Sequence, residues 1–553
     1  MSKFNIRSTR PRVTGPVTTT GPDTTYEGGT AWTRDEKSAL VMLAVTNMVG
    51  EDTFYEKAQD RDDRFAGLCR TVAVADGAWF HGFVGWLRGE ANMRSASIVA
   101  AAVGVKARLD HVAALSMSPG PDAYVPEPLG WNRKIVDVVL QRPDEPGEFL
   151  AYWTANYGRK LPMPVKRGVG DAAIRMYTER SLLKYDTGTH GWRFGDVLDM
   201  VHPGDARNGQ KLIGPWQGDL FKHALDRRHG RAGDDIPASL TMVIANWALR
   251  ELPEATSAWT NPDVLKNAGM TWEDVLSAQG DKVDKAKLWE AVIPSMGVMA
   301  LIRNLRNFDK DGVSDATALR VCAKLMDPDV IAGSRQFPYR FLSAYRAAPS
   351  LRWGHALDVA LGHSVKNIPE LPGRTLVMVD TSGSMLSPVS AKSSVRHVDI
   401  GALIGTALAV KGAAVDLVGF ADGTFTHPLT PGGSVLKQAE SFIARVNEVG
   451  YGTQTADALL SSYRGHDRVV VVTDGQAFAP GWSRYPSASR PVSVSDSVPA
   501  NVPLFGIDTT GYSKTSIDTS KPNRYEIGGF SDKLFTMMSL LTSGRDAVWP
   551  WEK

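Results

Sequence analysis

The sequence predicts a multidomain protein in which an all-helical region is followed by a doubly wound α/β domain. Three observations predict this fold class. The chain has 553 residues, which exceeds what one ordinary hydrophobic core accommodates. Apolar residues recur at helical spacing up to about residue 366. Beyond that point, short apolar runs alternate with helical stretches.

Composition is that of a folded intracellular protein. Hydrophobic residues make up 43% of the chain, and the formal net charge is +2, so any nucleic-acid-binding surface would have to be local. Cys69 and Cys322 are the only cysteines, which predicts no structural disulfide. Because no signal peptide or bilayer-length apolar run is visible, we expect a soluble cytoplasmic monomer without membrane contact.

Residues 1–30 are rich in Thr, Pro, Gly and Arg and have no apolar periodicity. Such a segment cannot bury enough apolar surface to offset the entropy lost on ordering. The sequence therefore predicts a flexible tail over residues 1–30.

Residues 31–366 are predicted to form one helical domain. Leu40 and Leu43 begin one apolar stripe and Trp79 and Phe83 another, while Pro and Gly fall between the stripes. No exact internal repeat is visible, but the regular spacing is compatible with stacked helix pairs of the HEAT type, about 40 residues each. The proline-containing segment 367–373 marks the domain boundary.

Residues 374–553 are predicted to form the α/β domain. The predicted strands are 374–379, 414–420, 467–473, 503–507 and 524–528, and the predicted helices are 399–411, 435–446, 456–463 and 531–541. Strands that are apolar on both faces and separated by helices indicate a mostly parallel, doubly wound (Rossmann-like) sheet. Ligands of such sheets bind at the carboxyl ends of the strands.

Oxygen-bearing side chains occur where that edge of the sheet is expected. Asp380, Ser382 and Ser384 alternate in the loop after the first strand, where Gly383 is expected to relax a tight turn. Thr453 precedes a helix, and Asp474 ends the strand expected beside the first. The predicted metal site therefore consists of Asp380, Ser382, Ser384, Thr453 and Asp474. Carboxylate and hydroxyl donors suit a hard divalent cation such as Mg²⁺ and do not suit zinc.

This order of motifs resembles the metal-ion-dependent adhesion site of von Willebrand factor A domains. The resemblance implies that Ser382, Ser384 and Thr453 contact the cation, while Asp380 and Asp474 act through water or hydrogen bonds. It also implies a sixth position open to water or to a partner's carboxylate. Two alternatives stay open: the aspartates only cap helices and hold turns, or the cation is a structural remnant.

Phrases in both predicted domains resemble the TROVE-domain, or Ro autoantigen, family. They are GWRFGDVLDMVHP at residues 191–203, WEAVIPSMGVMALIRNL at 289–305 and GRTLVMVDTSGSM at 373–385. The resemblance implies a ring of helical repeats closed by the metal-site domain. It further implies binding of small Y RNAs on the outer surface and of the single-stranded 3′ ends of misfolded RNAs in the central hole.

Basic residues cluster locally, as phosphate binding requires. Seven basic residues and two acidic ones lie between Arg159 and Lys184. By resemblance, Lys184 and His202 match RNA-contacting residues of the family, although the intervening stretch 185–190 lacks the family's Arg and is one residue longer. The predicted RNA-binding residues are Lys166, Arg167, Arg175, Arg180, Lys184, His202 and Arg303. The alternatives are a solvated basic helix face and a His202 that merely caps a helix before Pro203.

Three function classes follow from these patterns. The first is a non-enzymatic RNA-binding scaffold of a noncoding-RNA ribonucleoprotein in RNA quality control, with Y RNA-like RNAs and misfolded 3′ ends as partners. An exoribonuclease or another protein would then bind through the metal site. The second is a metal-dependent protein-adhesion scaffold that binds no RNA. The third, an enzyme, is disfavoured because no phosphate loop, nucleophile motif or zinc motif occurs.

Overall fold

The structure, a computed structural model, describes residues 13–46, 49–117, 130–189, 191–204, 206–207, 210–211, 213–231, 235–368, 371–412, 414–430, 432–478, 492–531 and 533–552. The chain divides into two compact units. An α/β unit comprises residues 1–68, 337–339 and 364–553, and a helical unit comprises residues 69–336 and 340–363. Across the described residues, none of the helices combines the length and the apolar character that a bilayer crossing needs.

The described amino-terminal residues belong to the α/β unit. They form an antiparallel hairpin of β1 (Thr19–Thr24) and β2 (Thr30–Arg34), followed by α1 (Glu36–Ala44) and by α2 (Ala58–Ala75), whose residues from 69 on belong to the helical unit. The flexible tail predicted over residues 1–30 is therefore wrong from residue 13 onward, and residues 1–12 lie outside the described residues. The helical domain predicted over 31–366 likewise begins too early, because residues 31–68 pack in the α/β unit.

Long-range hydrogen bonds explain why this hairpin is ordered despite its polar sequence. Thr33 and Trp32 of β2 pair antiparallel with Lys514 and Thr515, near the other end of the chain. The Thr19 hydroxyl donates to Asp518 at 3.0 Å. These partners satisfy the backbone and hydroxyl groups of a segment that has little apolar surface to bury.

The helical unit contains neighbouring helices that pack in sequence order, such as α3 on α4 and α5, α5 on α7, and α9 on α10. Its helices, some of whose ends cross into the α/β unit, are α3 (Gly77–Gly89), α4 (Arg94–Met117), α5 (Gly130–Val139), α6 (Glu145–Tyr157), α7 (Met163–Met176), α8 (Glu179–Tyr185), α9 (Phe194–Val201), α10 (Pro215–Arg228), α11 (Thr241–Glu251), α12 (Pro262–Asn267), α13 (Trp272–Gln279), α14 (Lys285–Val292), α15 (Val298–Lys310), α16 (Asp315–Met326), α17 (Pro328–Ser334), α18 (Pro338–Ala347) and α19 (Leu351–Ser364), with a small hairpin of β3 (Ala206–Arg207) and β4 (Gln210–Lys211). The predicted all-helical character is confirmed.

A buried carboxylate joins three of these helices. Glu145, at the start of α6, has no exposed surface and accepts hydrogen bonds from Arg88 of α3 at 2.6 Å and Arg94 of α4 at 3.1 Å. Its other oxygen accepts the backbone N–H of Gln141 at 2.6 Å. Because both oxygens of the carboxylate accept hydrogen bonds and two of the donors are arginines, the charge is tolerated inside the unit.

The elements of the α/β unit after the helical unit are β5 (Arg374–Asp380), α20 (His397–Lys411), β6 (Ala414–Phe420), β7 (Thr424–His427), α21 (Val435–Ile443), α22 (Thr455–Ser462), β8 (Arg468–Thr473), β9 (Leu504–Asp508), β10 (Lys514–Thr515), β11 (Arg524–Gly528) and α23 (Leu534–Thr542). Six of these strands form one sheet, in the order β11, β9, β8, β5, β6, β7. Strands β11, β9, β8, β5 and β6 run parallel, and β7 pairs antiparallel with β6. The five predicted strands and the parallel sheet are confirmed, while β7 and β10 were not predicted.

Close packing on the central strand positions the loops at the carboxyl edge. A Cβ on Gly405 of α20 would lie 2.6 Å from a Val379 methyl of β5, so the helix sits directly against that strand. Val379 pairs in register with Val472 of β8. Asp380, the last residue of β5, and Asp474, the residue after β8, therefore lie at the same edge of the sheet.

Candidate functional site

Three loops converge at the carboxyl edge of the sheet and carry the five predicted metal-site residues. One loop follows β5, a second precedes α22, and a third follows β8. The five side chains are at most 5% exposed; they are Asp380, Ser382, Ser384, Thr453 and Asp474. The five residues are up to 94 positions apart, and backbone hydrogen bonds join their loops: the Gly383 N–H donates to the Tyr451 carbonyl at 2.8 Å, and the Phe478 N–H donates to the Thr453 carbonyl at 3.0 Å.

The loop after β5 is held by its own aspartate. Asp380 Oδ1 accepts the backbone N–H of Ser382 at 2.8 Å, and Oδ2 accepts the Thr473 hydroxyl at 2.7 Å. This geometry places the hydroxyl oxygens of Ser382 and Ser384 3.3 Å apart. Gly383 has φ −58° and ψ −38°, which any residue adopts. The expectation that the turn uses the conformational freedom of Gly383 is therefore wrong.

Glycine is instead required in the loop that carries Thr453. A Cβ on Gly450, which has φ +88°, would lie 2.1 Å from an Asp422 carboxylate oxygen. A Cβ on Gly452 would lie 2.2 Å from the other oxygen of the same carboxylate. Asp422 accepts the Tyr451 N–H at 3.1 Å, so the loop wraps around this carboxylate with no room for side chains at either glycine.

Asp474 has one satisfied and one unsatisfied oxygen. Oδ1 accepts the Gln476 N–H at 3.0 Å, whereas Oδ2 is buried and has no hydrogen-bond partner of normal geometry among the described residues. Burial first, and then the charge of Asp380, raises the pKa of Asp474 to about 7, while the nearby Ser384 hydroxyl lowers it. Burial likewise raises the pKa of Asp380 to about 6.

These features fit a hard divalent cation. Two buried carboxyl groups stand beside three hydroxyls, and one carboxylate oxygen lacks a donor. A buried carboxylate without a counter-charge is costly, and a cation bound by oxygen donors would remove that cost. The turn-holding alternative accounts for the hydrogen bonds to Asp380 and for Asp474 Oδ1, but it leaves Asp474 Oδ2 unexplained.

The predicted basic cluster lies on α7 and α8. Arg167, Arg180 and Lys184 are exposed, and Lys166 is half-buried. Arg175 differs, because it forms an ion pair with Asp137 of α5 and donates to the Leu140 carbonyl at 2.7 Å. Its charge is thus already used to join α5 to α7.

A cavity of about 540 Å³ lies between α5 and α7. Its charged lining residues are Arg133, Lys134, Asp137, Arg167 and Asp171. Both acids are paired with arginines, since Arg133 donates to Asp171 at 2.5 and 2.6 Å and Arg175 pairs with Asp137. Lys134 and Arg167 therefore leave the cavity net positive.

Sequence reasoning missed Arg133 and Lys134. In the sequence, only the adjacent pair Arg133 and Lys134 indicates a basic site near the start of α5. In the structure, the Lys134 ammonium lies over the Trp131 ring, 4.5 Å from its centroid. Two basic residues outside the Arg159–Lys184 run do not form a cluster in the sequence. The packing of α5 on α7 makes them neighbours of Arg167.

Of the seven predicted RNA-binding residues, Arg167 alone is among the described residues that line this cavity. His202 and Arg303 lie on other helices. His202 ends α9 in the left-handed conformation with φ 46°, and its backbone N–H bonds to the Leu198 carbonyl, as the capping alternative predicts. The His202 side chain is nevertheless exposed. Arg303 is exposed on α15, which packs on α16 and α17.

Residues 265–352 match the family model described as the TROVE domain. This segment of the chain is similar to the TROVE domain. The matched residues include the segment 289–305, on which part of the family resemblance rested. The phrase at 191–203, with the predicted roles of Lys184 and His202, lies outside the match and stays a prediction.

Two curated relatives are similar to this chain over a short stretch. Telomerase protein component 1 of Mus musculus is 37% identical over 83 residues, which is 15% of this chain and 3% of that protein. Telomerase protein component 1 of Rattus norvegicus is 38% identical over 77 residues, 14% of this chain and 3% of that protein. The chain thus spans only a few per cent of the length of these relatives.

The fold of this chain is similar to that of the Deinococcus radiodurans RO (RSR) protein, seen in a crystal structure. The TM-score is 0.56 at 18% sequence identity, and the likeness covers 91% of this chain and 99% of that chain. At this identity the likeness shows the fold alone. It extends over both units, including the α/β unit beyond the TROVE match.

Proposed function

We propose that this protein is a non-enzymatic RNA-binding scaffold. The observation that carries the proposal is the net-positive cavity between α5 and α7, in a chain that matches the TROVE domain over residues 265–352 and is similar to an RO protein in fold and to a telomerase component over a short stretch. Phosphate groups supply much of the affinity of RNA for proteins, so a local excess of Lys and Arg is the feature that such binding needs.

The N-terminus of α7 adds to the attraction for anions in this cavity. Met163 and Pro164, the first residues of α7, line it. Pro164 has no N–H to donate, so the contribution is the positive end of the helix dipole rather than a row of N–H donors. Arg167, one turn further along α7, and Lys134 would then pair with the same or the next phosphate.

The finer partners follow from the family resemblance and belong to the proposal. A Y RNA-like small RNA and the single-stranded 3′ ends of misfolded RNAs are the expected ligands, within RNA quality control. The exposed side chains of Arg180, Lys184 and His202 extend the basic surface along α8 and α9. Arg303 on α15 is proposed as a separate RNA contact.

Within the same proposal, the metal site binds Mg²⁺ and presents it to a protein partner, for example an exoribonuclease. When bound, the cation would supply a positive centre that attracts a carboxylate. Ser382, Ser384 and Thr453 are the proposed direct ligands. Asp380 and Asp474 would orient those hydroxyls and balance the charge, and the unpartnered Asp474 Oδ2 supports this assignment.

A salt titration of RNA binding tests the proposal. The full-length protein, freed of nucleic acid, is mixed with a labelled RNA hairpin carrying a single-stranded 3′ tail, and with the same hairpin without the tail. We expect binding at low salt, a steep loss of affinity with salt, and tighter binding of the tailed RNA. Absence of binding to either RNA at low ionic strength would contradict the proposal.

The same preparation distinguishes the adhesion alternative. If the chain is an adhesion scaffold without RNA, both hairpins fail to bind, while capture of an acidic protein partner depends on Mg²⁺ and is abolished by Asp380→Ala. If it is an RNA scaffold, Asp380→Ala leaves hairpin binding intact, because the metal site and the basic cavity lie in different units.

A further inference from the structure

Two segments of the α/β unit place aromatic and acidic side chains together on its surface. The turn between β1 and β2 carries Tyr26 and Glu27, and the loop before α2 carries Phe54 and Tyr55. We call these four residues the aromatic-acidic patch. Neither the five metal-site residues nor the residues that line the basic cavity belong to it.

Hydrogen bonds to the loop after β8 fix the turn that carries Tyr26. The Thr25 hydroxyl donates to the Ala477 carbonyl at 2.6 Å, and the Tyr26 N–H donates to the Gln476 side-chain oxygen at 3.0 Å. Because consecutive residues of the turn are anchored, the positions of its side chains are fixed before any partner binds. Such preorganisation lowers the entropic cost of association.

Stacking orders the rings of the patch. The Tyr26 and Tyr55 rings lie parallel, with centroids 5.0 Å apart and planes within 5° of each other. Phe54 meets Tyr55 at 4.8 Å, and the buried Tyr512 meets both tyrosine rings nearly at right angles. This packing still leaves 45% of Tyr26 and 54% of Phe54 exposed. Adjacent exposed aromatic side chains are typical of a binding surface.

Glu27 adds a negative charge beside these rings. Its Oε1 accepts the Tyr55 hydroxyl at 2.6 Å, and it forms no ion pair with any described residue. The two arginines that follow in α2, Arg61 and Arg64, instead pair with Glu56 at 3.1 and 2.6 Å. Glu27 is therefore held in place by a neutral donor and keeps an uncompensated charge.

The chemistry of the patch complements a cation and opposes a phosphate. Residues 51–63 contain six acidic residues and two basic ones, so a phosphate backbone is repelled there. The face of an aromatic ring attracts a cation, most often a guanidinium. A guanidinium also matches a carboxylate with two parallel hydrogen bonds. An arginine side chain therefore satisfies both the rings and Glu27.

We propose that the aromatic-acidic patch is a docking site for an arginine in a basic segment of a protein partner. The guanidinium lies against the exposed rings of Tyr26 and Phe54 and pairs with Glu27, which Tyr55 holds in position. Further basic residues of the partner face the acidic run 51–63. The proposal is independent of the cation site and of the RNA-binding cavity.

Fluorescence anisotropy of a labelled peptide tests the site. The full-length protein, freed of nucleic acid and kept in EDTA at low ionic strength, is titrated into an Arg-Gly-Ser repeat peptide and into the same peptide with Lys or Gln in place of Arg. The test variants are Glu27→Gln and Phe54→Ala. The matched controls are Asp63→Asn, which removes an exposed carboxylate of the same acidic run, and Trp247→Ala, which removes a 43% exposed aromatic side chain from α11.

We expect Glu27→Gln and Phe54→Ala each to bind the arginine peptide about two- to fivefold more weakly, as the loss of one exposed ion pair or one cation–π contact predicts. Asp63→Asn and Trp247→Ala should bind it as the unmodified protein does. The lysine peptide should bind more weakly than the arginine peptide, and the glutamine peptide should not bind. Thermal unfolding checks that each variant is folded.

Glu27→Gln, which retains an acceptor for the Tyr55 hydroxyl, decides the outcome if Phe54→Ala fails to fold. Equal affinity of Glu27→Gln and the unmodified protein for the arginine peptide would overturn the proposal. An equal loss in Asp63→Asn would also overturn it, because binding would then follow total acidic charge.

Two other occupants are distinguished by separate measurements. Weaker binding of the tailed RNA hairpin by Phe54→Ala would assign the exposed rings to RNA bases and overturn the proposal. Self-association of the unmodified protein that Glu27→Gln abolishes, measured by sedimentation, would replace the protein partner by a second copy of this chain.

Discussion

The guanidinium of Arg34 donates from Nε to Glu526 Oε2 at 2.7 Å and from Nη2 to Asp508 Oδ2 at 3.2 Å. Arg34 and Glu526 are 492 residues apart, and their side chains are 1% and 2% exposed. Arg34 also donates to the Tyr512 carbonyl at 2.6 Å. This buried network attaches the amino-terminal hairpin to strands β9 and β11 of the six-stranded sheet.

Replacing Arg34 should destabilise the α/β unit strongly. Arg34→Met leaves Glu526 and Asp508 buried without their counter-charge, a change that typically costs about 3–5 kcal/mol. Urea denaturation of the full chain should show the loss. Lys57→Met is the control, because the Lys57 side chain is 78% exposed and pairs with an exposed Asp52, so its effect should be small. An Arg34→Met midpoint equal to that of Lys57→Met would contradict the role of the network.

Stabilisation by Mg²⁺ should increase with pH. The pKa of Asp380 is raised to about 6 and that of Asp474 to about 7, from 3.8 for an unperturbed carboxyl. The metal-free folded state therefore retains protons that the unfolded chain releases, and the resulting stability is present below pH 3.8 and lost as pH rises through 6 and 7. A cation replaces those protons, so its stabilising effect grows over the same range.

Thermal unfolding with and without MgCl₂, at about pH 5 and about pH 8 and constant ionic strength, measures this difference. We expect a larger rise in Tm at the higher pH. Asp474→Asn should reduce both the Mg²⁺ effect and its pH dependence. A Tm increment that is the same at both pH values would show that the two carboxyl groups do not titrate against the cation.

Alanine at Gly452 should weaken Mg²⁺ binding, whereas alanine at Gly383 should leave it nearly unchanged. Gly452→Ala places a Cβ 2.2 Å from the Asp422 carboxylate and 2.6 Å from the Phe478 ring, so the loop must shift and carry Thr453 with it. At Gly383 the nearest contact is an ordinary 3.6 Å, and the backbone is helical. We expect at least about tenfold weaker Mg²⁺ binding for Gly452→Ala, as for a displaced metal ligand, and little change for Gly383→Ala. Calorimetric titration of both variants is the measurement.

Neutralising cavity cations should weaken RNA binding independently of RNA sequence. Lys134→Ala and Arg167→Ala each remove one phosphate contact, so the slope of log affinity against log salt should decrease by about 0.7–1 for each variant. Lys222→Ala is the matched control, since Lys222 is a 75% exposed lysine on α10, outside the cavity. If Lys134→Ala and Lys222→Ala give the same slope of log affinity against log salt, the cavity is not part of the RNA-binding surface.

The sequence by itself determined the α/β topology and the grouping of the metal-site residues. Val469 to Val472 are apolar on both faces of their strand, which is the pattern of a central parallel strand covered by helices. Once that strand lies beside the one ending at Asp380, the position of Asp474 follows from chain direction alone. The strands are visible as local sequence patterns, and the geometry of parallel sheets places their carboxyl ends together. Both features can therefore be predicted from the sequence alone.

Only the tertiary structure decided where the amino-terminal hairpin lies and which segment packs against the loop that begins with Asp474. Arg34 and Thr25 have partners more than 400 residues away, and the polar hairpin to which they belong has no apolar periodicity that would reveal its contacts. The same applies to Lys134 and Arg167, which line one cavity because α5 packs on α7. Periodicity describes a residue's neighbours along the chain, whereas these contacts depend on the folded positions of distant backbone segments.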